Sequence, residues 1–244
     1  MKTLVLTLFT VFLVVLTLKT NAQVTSAKSN PKSVSVKADL SHNQGKYISN
    51  TGTSSSYSKS QLKGVEGDVF IGKDWPAGMV SLRNGGVIDN YKLRYNLLSD
   101  QMQFISGKDT LAFAAPEELN TISFSDHTFV FENYSCENVV RQGYFELIVP
   151  GKNQLLLKRM VTYEIPDVNS PEDESSTKYL IDECYFISKP GKPASKMLCN
   201  RKSALAVLNE HNDEIDEYMR ITGNKVRNPE ELKKLVIYYN SIDE

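Results

Sequence analysis

The sequence has few of the residues on which catalytic sites most often depend. Its 244 residues include three histidines, three cysteines and one tryptophan. It contains no Cys-x-x-Cys redox pair, no Gly-x-Ser-x-Gly nucleophile elbow and no glycine-rich loop that would cradle a phosphate. These absences argue against thioredoxin-like, serine-hydrolase and phosphate-binding chemistry, so we expect neither a cofactor nor a metal site nor a catalytic residue that a motif identifies.

Long apolar runs are also scarce, with one example near the N-terminus. The run Leu4–Leu18 is about 15 residues long, whereas a membrane-spanning helix needs about 20. It follows a positively charged start and is closed by a polar stretch in which the small residue Ala22 precedes Gln23. We predict a signal peptide over residues 1–22, cleaved between Ala22 and Gln23, and an exported mature chain without a transmembrane segment. An uncleaved N-terminal anchor is the alternative.

The segment that follows the signal peptide has almost no acidic residues and little to bury. Residues 23–63 contain eleven serines, six lysines and one acid, Asp39. Such a composition predicts a flexible segment over residues 23–66. The first 63 residues carry eight lysines and that single acid, a net charge of +7. Because the whole chain carries −1, residues 64–244 carry −8. The positive segment is either a solvated linker or a contact for an anionic surface, and the acidic remainder argues against nucleic acid as a partner.

Residues 67–200 show the alternation and turn spacing of short antiparallel strands. Asn84-Gly85 lies between β-forming pairs and predicts a tight hairpin with a type I′ turn, in which both central residues have positive φ. Apolar and polar residues alternate from Tyr91 to Leu97, which predicts a strand with one wet face. Turn signals recur at intervals typical of antiparallel β proteins. The pattern predicts a β-rich α+β fold, an antiparallel sandwich or a barrel-like meander, with the sandwich and the barrel left as alternatives.

The pattern becomes helical after residue 200. Gly223 marks the end of one helix, and Asn228-Pro229 begins another as its cap and first position. We predict a helical segment over residues 201–244 that packs on the β domain, with docking of a partner helix as the alternative.

Two of the three cysteines are placed symmetrically about a predicted turn. Cys184 and Cys199 flank Pro190-Gly191-Lys192-Pro193, so a hairpin without a bulge would bring them face to face. Directly opposed residues lie within disulfide range, and an oxidising compartment permits the bond. A Cys184–Cys199 disulfide is one interpretation and a pair of small buried thiols is the other, which leaves Cys136 unpaired.

Other candidate sites are weaker. His127 has Ser125 and Asp126 beside it, but adjacent residues in a turn rarely assemble a catalytic site. The acidic stretch Pro166–Thr177 lacks the glycine and ligand spacing of a calcium loop, which favours a solvated loop. Trp75 lies beside a turn and could stack on a sugar or a partner, although a tryptophan at the edge of the core is the simpler interpretation.

Seven segments together carry a resemblance to known proteins: Asp74-Trp75, Gly78–Gly85, Leu93–Asn96, Met102–Phe104, Gly143–Glu146, Leu155–Arg159 and Leu232–Asn240. They resemble a group of uncharacterised exported proteins of Bacteroidota-type bacteria. The resemblance covers residues 67–242, and it implies a periplasmic or cell-surface location. It supplies no activity.

Together these observations favour an exported, envelope-associated binding or accessory protein with an envelope protein or a glycan as its partner. A hydrolase acting on an envelope or extracellular polymer, with carboxylates that no motif places, is the alternative. A structural protein that docks through its C-terminal helices is a third hypothesis.

Overall fold

A computed structural model describes residues 48–50, 65–66, 68–164 and 177–243. The predicted signal peptide, its cleavage site at Ala22 and Gln23, and the acidic stretch over 166–176 lie outside these ranges. Two short strands, at 48–50 and 65–66, fall within the segment predicted to be flexible.

Thirteen strands make up most of the described chain, and three helices follow them. The strands are β1 (Ile48–Asn50), β2 (Val65–Glu66), β3 (Phe70–Ile71), β4 (Ala77–Leu82), β5 (Val87–Asn96), β6 (Gln101–Ser106), β7 (Asp109–Phe113), β8 (Leu119–Phe124), β9 (His127–Cys136), β10 (Val139–Val149), β11 (Gln154–Glu164), β12 (Thr177–Ser188) and β13 (Ser195–Met197). The helices are α1 (Arg201–Val207), α2 (Asn212–Thr222) and α3 (Pro229–Ile242), and single 3₁₀ turns occur at Pro116–Glu118 and Asn209–His211. The predicted β-rich α+β class is therefore confirmed.

The strands form one open antiparallel path. Its order is β1-β7-β6-β5-β4-β8-β9-β10-β11-β12-β13, with β3 beside β5 and β2 parallel to β12. The Asn84-Gly85 hairpin is confirmed, but its turn differs from the predicted one. Of Asn84 and Gly85, only Gly85 has a positive φ, of 86°, and the backbone N–H of Leu82 donates to the carbonyl of Gly86 at 2.8 Å. The hairpin therefore has a type I turn followed by a residue in the left-handed region.

The second half of the path, β9 to β13, curls back on itself. Ala194 donates to the carbonyl of Asn133 at 2.8 Å and accepts from Ser135 at 2.9 Å, which ties the residue before β13 to β9. A small apolar core fills the inside of the curl and includes Phe145, Leu156 and Phe186. The described chain thus combines an open meander with one barrel-like half.

Two larger hydrophobic cores lie outside the curl. The first lies among β4, β5, β6, β8 and β9 and includes Leu93, Phe104 and Phe129. The second lies between the helices and the outer face of β10 to β13, where Leu155 and Ile187 meet helix residues such as Leu235.

The ends of the helices follow the predicted capping pattern. The side chain of Asn228 accepts a hydrogen bond from the backbone N–H of Glu231 at 2.9 Å, and Pro229 occupies the first turn of α3. Gly223 ends α2 with a φ of 69°. None of the helices in the described ranges is long and apolar enough to span a membrane.

Candidate functional site

A polar groove opens at one end of the curled half of the sheet. It has a volume of about 510 Å³. Strands β9, β11 and β12 and the turn between β12 and β13 supply most of its walls. Its lining residues are Glu132, Asn133, Val140, Lys152, Gln154, Ser188, Lys189, Pro190, Gly191, Lys192 and Pro193.

Strand register explains why these side chains converge. Gln154 and Ser188 are direct partners across β11 and β12, two residues along each strand from the paired core residues Leu156 and Phe186. Because side chains alternate between the faces of a sheet, Gln154 and Ser188 point to the same inner face as Leu156 and Phe186. They end this inward row of side chains with polar groups. The bond between Ala194 and β9 holds the neighbouring turn against Asn133.

The groove contains three ammonium groups in different environments. The Nζ of Lys189 lies 2.8 Å from Glu210 Oε2, and its side chain is only 12% exposed. Lys152 is held 3.2 Å from Asp243. Lys192 is 68% exposed, and its closest acidic partner among the described residues, Glu210, is 4.0 Å away. Lys192 is therefore the ammonium group that is best placed to meet a ligand.

One carboxylate, Glu132, opposes these lysines in the groove. Burial raises its pKa above the ordinary value for a glutamate, and Arg83, 3.8 Å away, only partly opposes the shift. A partly desolvated acid in a cleft is one marker of a functional site.

Three neutral polar side chains in the groove have unused hydrogen-bonding groups. Within the described part of the chain, no protein atom makes a hydrogen bond to the side chain of Asn133, Gln154 or Ser188, although Gln154 and Ser188 are half-buried. Two amides and a hydroxyl can each donate and accept hydrogen bonds, so the wall of the groove can bond to hydroxyl and carbonyl groups of a ligand.

The other end of the same inward row is closed by an ion pair. Lys158, two residues beyond Leu156 on β11, is buried, and its Nζ donates to Asp100 Oδ2 at 2.6 Å and to the carbonyl of Tyr144 at 3.0 Å. Asp100 also accepts from the hydroxyl of Tyr95 at 2.5 Å. Burial lowers the pKa of Lys158, and Asp100 opposes the shift. All the charge at this end has a partner within the protein.

The residues predicted from the sequence do not meet at the groove. The guanidinium of Arg94 stacks 4.1 Å from the ring centre of Trp75 and 4.0 Å from that of Phe70. One face of the half-buried Trp75 is thereby covered, which fits the core-edge interpretation, and stacking of a ligand on its other face stays a prediction.

The three cysteines are free thiols in the structure. The register of β12 with β13 pairs Tyr185 with Met197, which places Cys184 opposite Leu198 and one residue out of step with Cys199. Cys184 packs against the core inside the curl, whereas Cys199 packs against the core beneath the helices. A Cys184–Cys199 bond would therefore require the hairpin to slip by one residue.

His127 belongs to a network of charges rather than to a serine-based site. Its Nδ1 lies 2.7 Å from Glu146 Oε1 and its Nε2 lies 3.3 Å from Asp126 Oδ1, so both ring nitrogens face carboxylates. Arg159 joins Glu146 to Glu183 on the same surface. An imidazole engaged at both nitrogens has no free nitrogen to activate Ser125. No group of three acidic, histidine or cysteine side chains in the described ranges is arranged to hold a metal ion.

No local pattern in the sequence predicts the groove. Pro190-Gly191-Lys192-Pro193 predicted a turn, which is confirmed, but the neighbours of that turn come from β9 and β11, 36 residues or more away in the chain. No protein-family model, curated protein or solved structure matches this chain.

Proposed function

We propose that this protein is an exported, envelope-associated binding or accessory protein, and that the groove between β9, β11 and the β12–β13 turn is its ligand site. The observation that carries the proposal is the convergence of Asn133, Gln154 and Ser188, whose side-chain hydrogen-bonding groups are unused in the described structure, with the exposed ammonium of Lys192. Polar side chains that converge on a cleft fix the orientation of a ligand and give a binding site its specificity.

Export and location are proposed on the sequence. The signal-peptide pattern of residues 1–22 and the resemblance to exported bacterial proteins support a periplasmic or cell-surface location.

The carboxylates support binding more than hydrolysis. Glycoside hydrolysis by the common mechanisms needs two carboxyl groups that flank the scissile bond. Among the residues lining the groove, Glu132 is the one carboxylate. Glu146, the most shielded acid of the His127 network with 11% of its side chain exposed, is bonded to Arg159 and His127.

The test is to fill the groove and measure binding. The purified mature protein and its Ser188→Trp variant are applied to an array of envelope and extracellular polysaccharides and of extended peptides. We expect the wild type to bind a defined subset and the variant to lose at least about tenfold in affinity, because an indole would occupy the space beside Gln154.

Lys108→Trp is the matched control, because Lys108 is exposed in the turn between β6 and β7, far along the strand path from the groove. Circular dichroism and urea midpoints show whether both variants fold. Equal binding by the wild type and a folded Ser188→Trp protein, or no binding to any arrayed molecule, would show that the groove is not the ligand site.

A further inference from the structure

We infer that the ligand of this groove is an acidic polysaccharide whose carboxylates meet Lys192 while its hydroxyl groups meet Asn133, Gln154 and Ser188. The inference rests on the proposed function, since it names the chemical class of ligand for that same site.

The groove is less acidic than the folded part as a whole, because its three lysines are matched by three carboxylates, those of Glu132, Glu210 and Asp243. Residues 64–244 carry −8, yet the groove lining holds three lysines against one acid. Two of these lysines are paired with Glu210 and Asp243, and the third, Lys192, is left with most of its side chain in solvent. A polyanion would be repelled by most of the surface and least by the groove, where the exposed ammonium of Lys192 is available to its carboxylates.

The neutral residues of the groove suit a sugar. Side-chain amides and hydroxyls both donate and accept hydrogen bonds, and sugar hydroxyl groups need partners of both kinds. Among the described residues, the lining has no aromatic ring on which a neutral sugar could stack, and its apolar members are Val140 and prolines. Affinity for a saccharide at this site would therefore come from polar and charged contacts, which favours a carboxylated polymer over a neutral one.

The experiment measures binding of galacturonic acid oligomers to the full mature chain by calorimetry at low and at physiological ionic strength. Neutral malto-oligosaccharides of equal length and poly-glutamate are the comparison probes. We expect the galacturonate oligomer to bind more tightly than both, and to weaken as salt screens the charges.

Two substitutions of opposite sign provide the decisive comparison. Lys192→Gln should weaken galacturonate binding about threefold, and Glu132→Gln should strengthen it by about twofold, since exposed charge pairs contribute little each. Lys108→Gln and Glu137→Gln, at exposed turns outside the groove lining, should change it by less than about 1.5-fold.

The outcomes separate this inference from the proposed function. Equally tight binding of the neutral oligosaccharide, lost in Ser188→Trp, would overturn the acidic ligand and leave the binding groove intact. Tight binding of poly-glutamate with the same dependence on Ser188 would replace the saccharide with an acidic peptide. Galacturonate binding that ignores Ser188, Lys192 and Glu132 alike would refute both proposals.

Discussion

The two ends of one row of side chains on β11 show how the same kind of residue can serve the fold or serve a ligand. Every second residue of β11 from 154 to 158, namely Gln154, Leu156 and Lys158, points into the curled half of the sheet. At one end, Lys158 is buried and has Asp100 and the carbonyl of Tyr144 as partners. At the other end, the side chain of Gln154 has no hydrogen-bond partner among the described residues and lines the same groove as the exposed Lys192.

The two ends differ in whether their polar side chains stabilise the fold or remain available to a ligand. A buried ammonium without partners is very costly, so the end that contains Lys158 can persist only with its charges matched inside the protein. The groove end is open to water, and its polar groups can exchange solvent for a ligand. We therefore expect substitutions at the Lys158 end to change stability, and those at the groove end to change binding.

The largest expected effect comes from removing the buried ammonium. Lys158→Met retains an apolar stem of similar length but leaves Asp100 without its ion pair. We expect the free energy of unfolding to fall by roughly 3 kcal/mol, the lower end for breaking a buried pair, because the Asp100 side chain is 35% exposed. Urea denaturation monitored by circular dichroism measures the change.

The control for this prediction is Lys108→Met, which removes a lysine from an exposed turn and should change stability by less than about 0.5 kcal/mol. Adding Asp100→Asn to Lys158→Met removes both charges and should recover part of the loss. A Lys158→Met protein as stable as the Lys108→Met protein would contradict the assignment of Lys158 to the fold.

A smaller effect is expected from the glycine beside the ion pair. A Cβ at Gly143 would lie 2.5 Å from Asp100 Oδ2 and 2.5 Å from Lys158 Nζ. Replacing glycine by alanine in a strand normally stabilises it by about 0.5–1 kcal/mol. Here both charged groups must move, so we expect Gly143→Ala to lower the free energy of unfolding by about 1–2 kcal/mol in the same urea assay.

A double-mutant cycle with Asp100→Ala distinguishes this cause from a general backbone effect. If the clash with the ion pair is responsible, Gly143→Ala should cost less in the Asp100→Ala background, because one obstructing group is gone and Lys158 can shift. An unchanged cost would assign the effect to the backbone of β10 instead.

Much of the fold could be predicted from local sequence patterns. The alternation from Tyr91 to Leu97 indicated one wet face, and Leu93, Tyr95 and Leu97 are indeed buried while Lys92 is exposed. The cap at Asn228 and the stop at Gly223 are confirmed because both depend on residues within one turn of the helix end.

Register and site could not be predicted in this way. Symmetry about Pro190–Pro193 aligned Cys184 with Cys199, but the hairpin is offset by one residue. The residue before β13, Ala194, is bonded to β9, so a contact distant in sequence helps to set where β13 begins. The groove and the Asp100–Lys158 pair likewise join segments far apart in the chain, which a single sequence cannot align.

The smallest expected effect tests the groove end through its one carboxylate, Glu132. Burial raises the pKa of Glu132 in the folded protein above its value in the unfolded chain. A glutamate with a raised pKa destabilises the fold at pH values above that pKa, and the penalty disappears as the pH falls through it. Glu132→Gln should therefore be more stable than the wild type at pH 7, by less than about 1 kcal/mol, since the substitution also removes the weak pair with Arg83.

The measurement is the difference in urea midpoint between Glu132→Gln and the wild type at pH 7 and again at pH 4. The difference should shrink at the lower pH, because protonated Glu132 and glutamine are both neutral. Glu137→Gln, at the exposed turn between β9 and β10, is the matched control and should show no such advantage at pH 7. If Glu132→Gln instead destabilises the protein at pH 7, the glutamate contributes to the fold through Arg83, and the contrast between the two ends of the row would no longer hold at this residue.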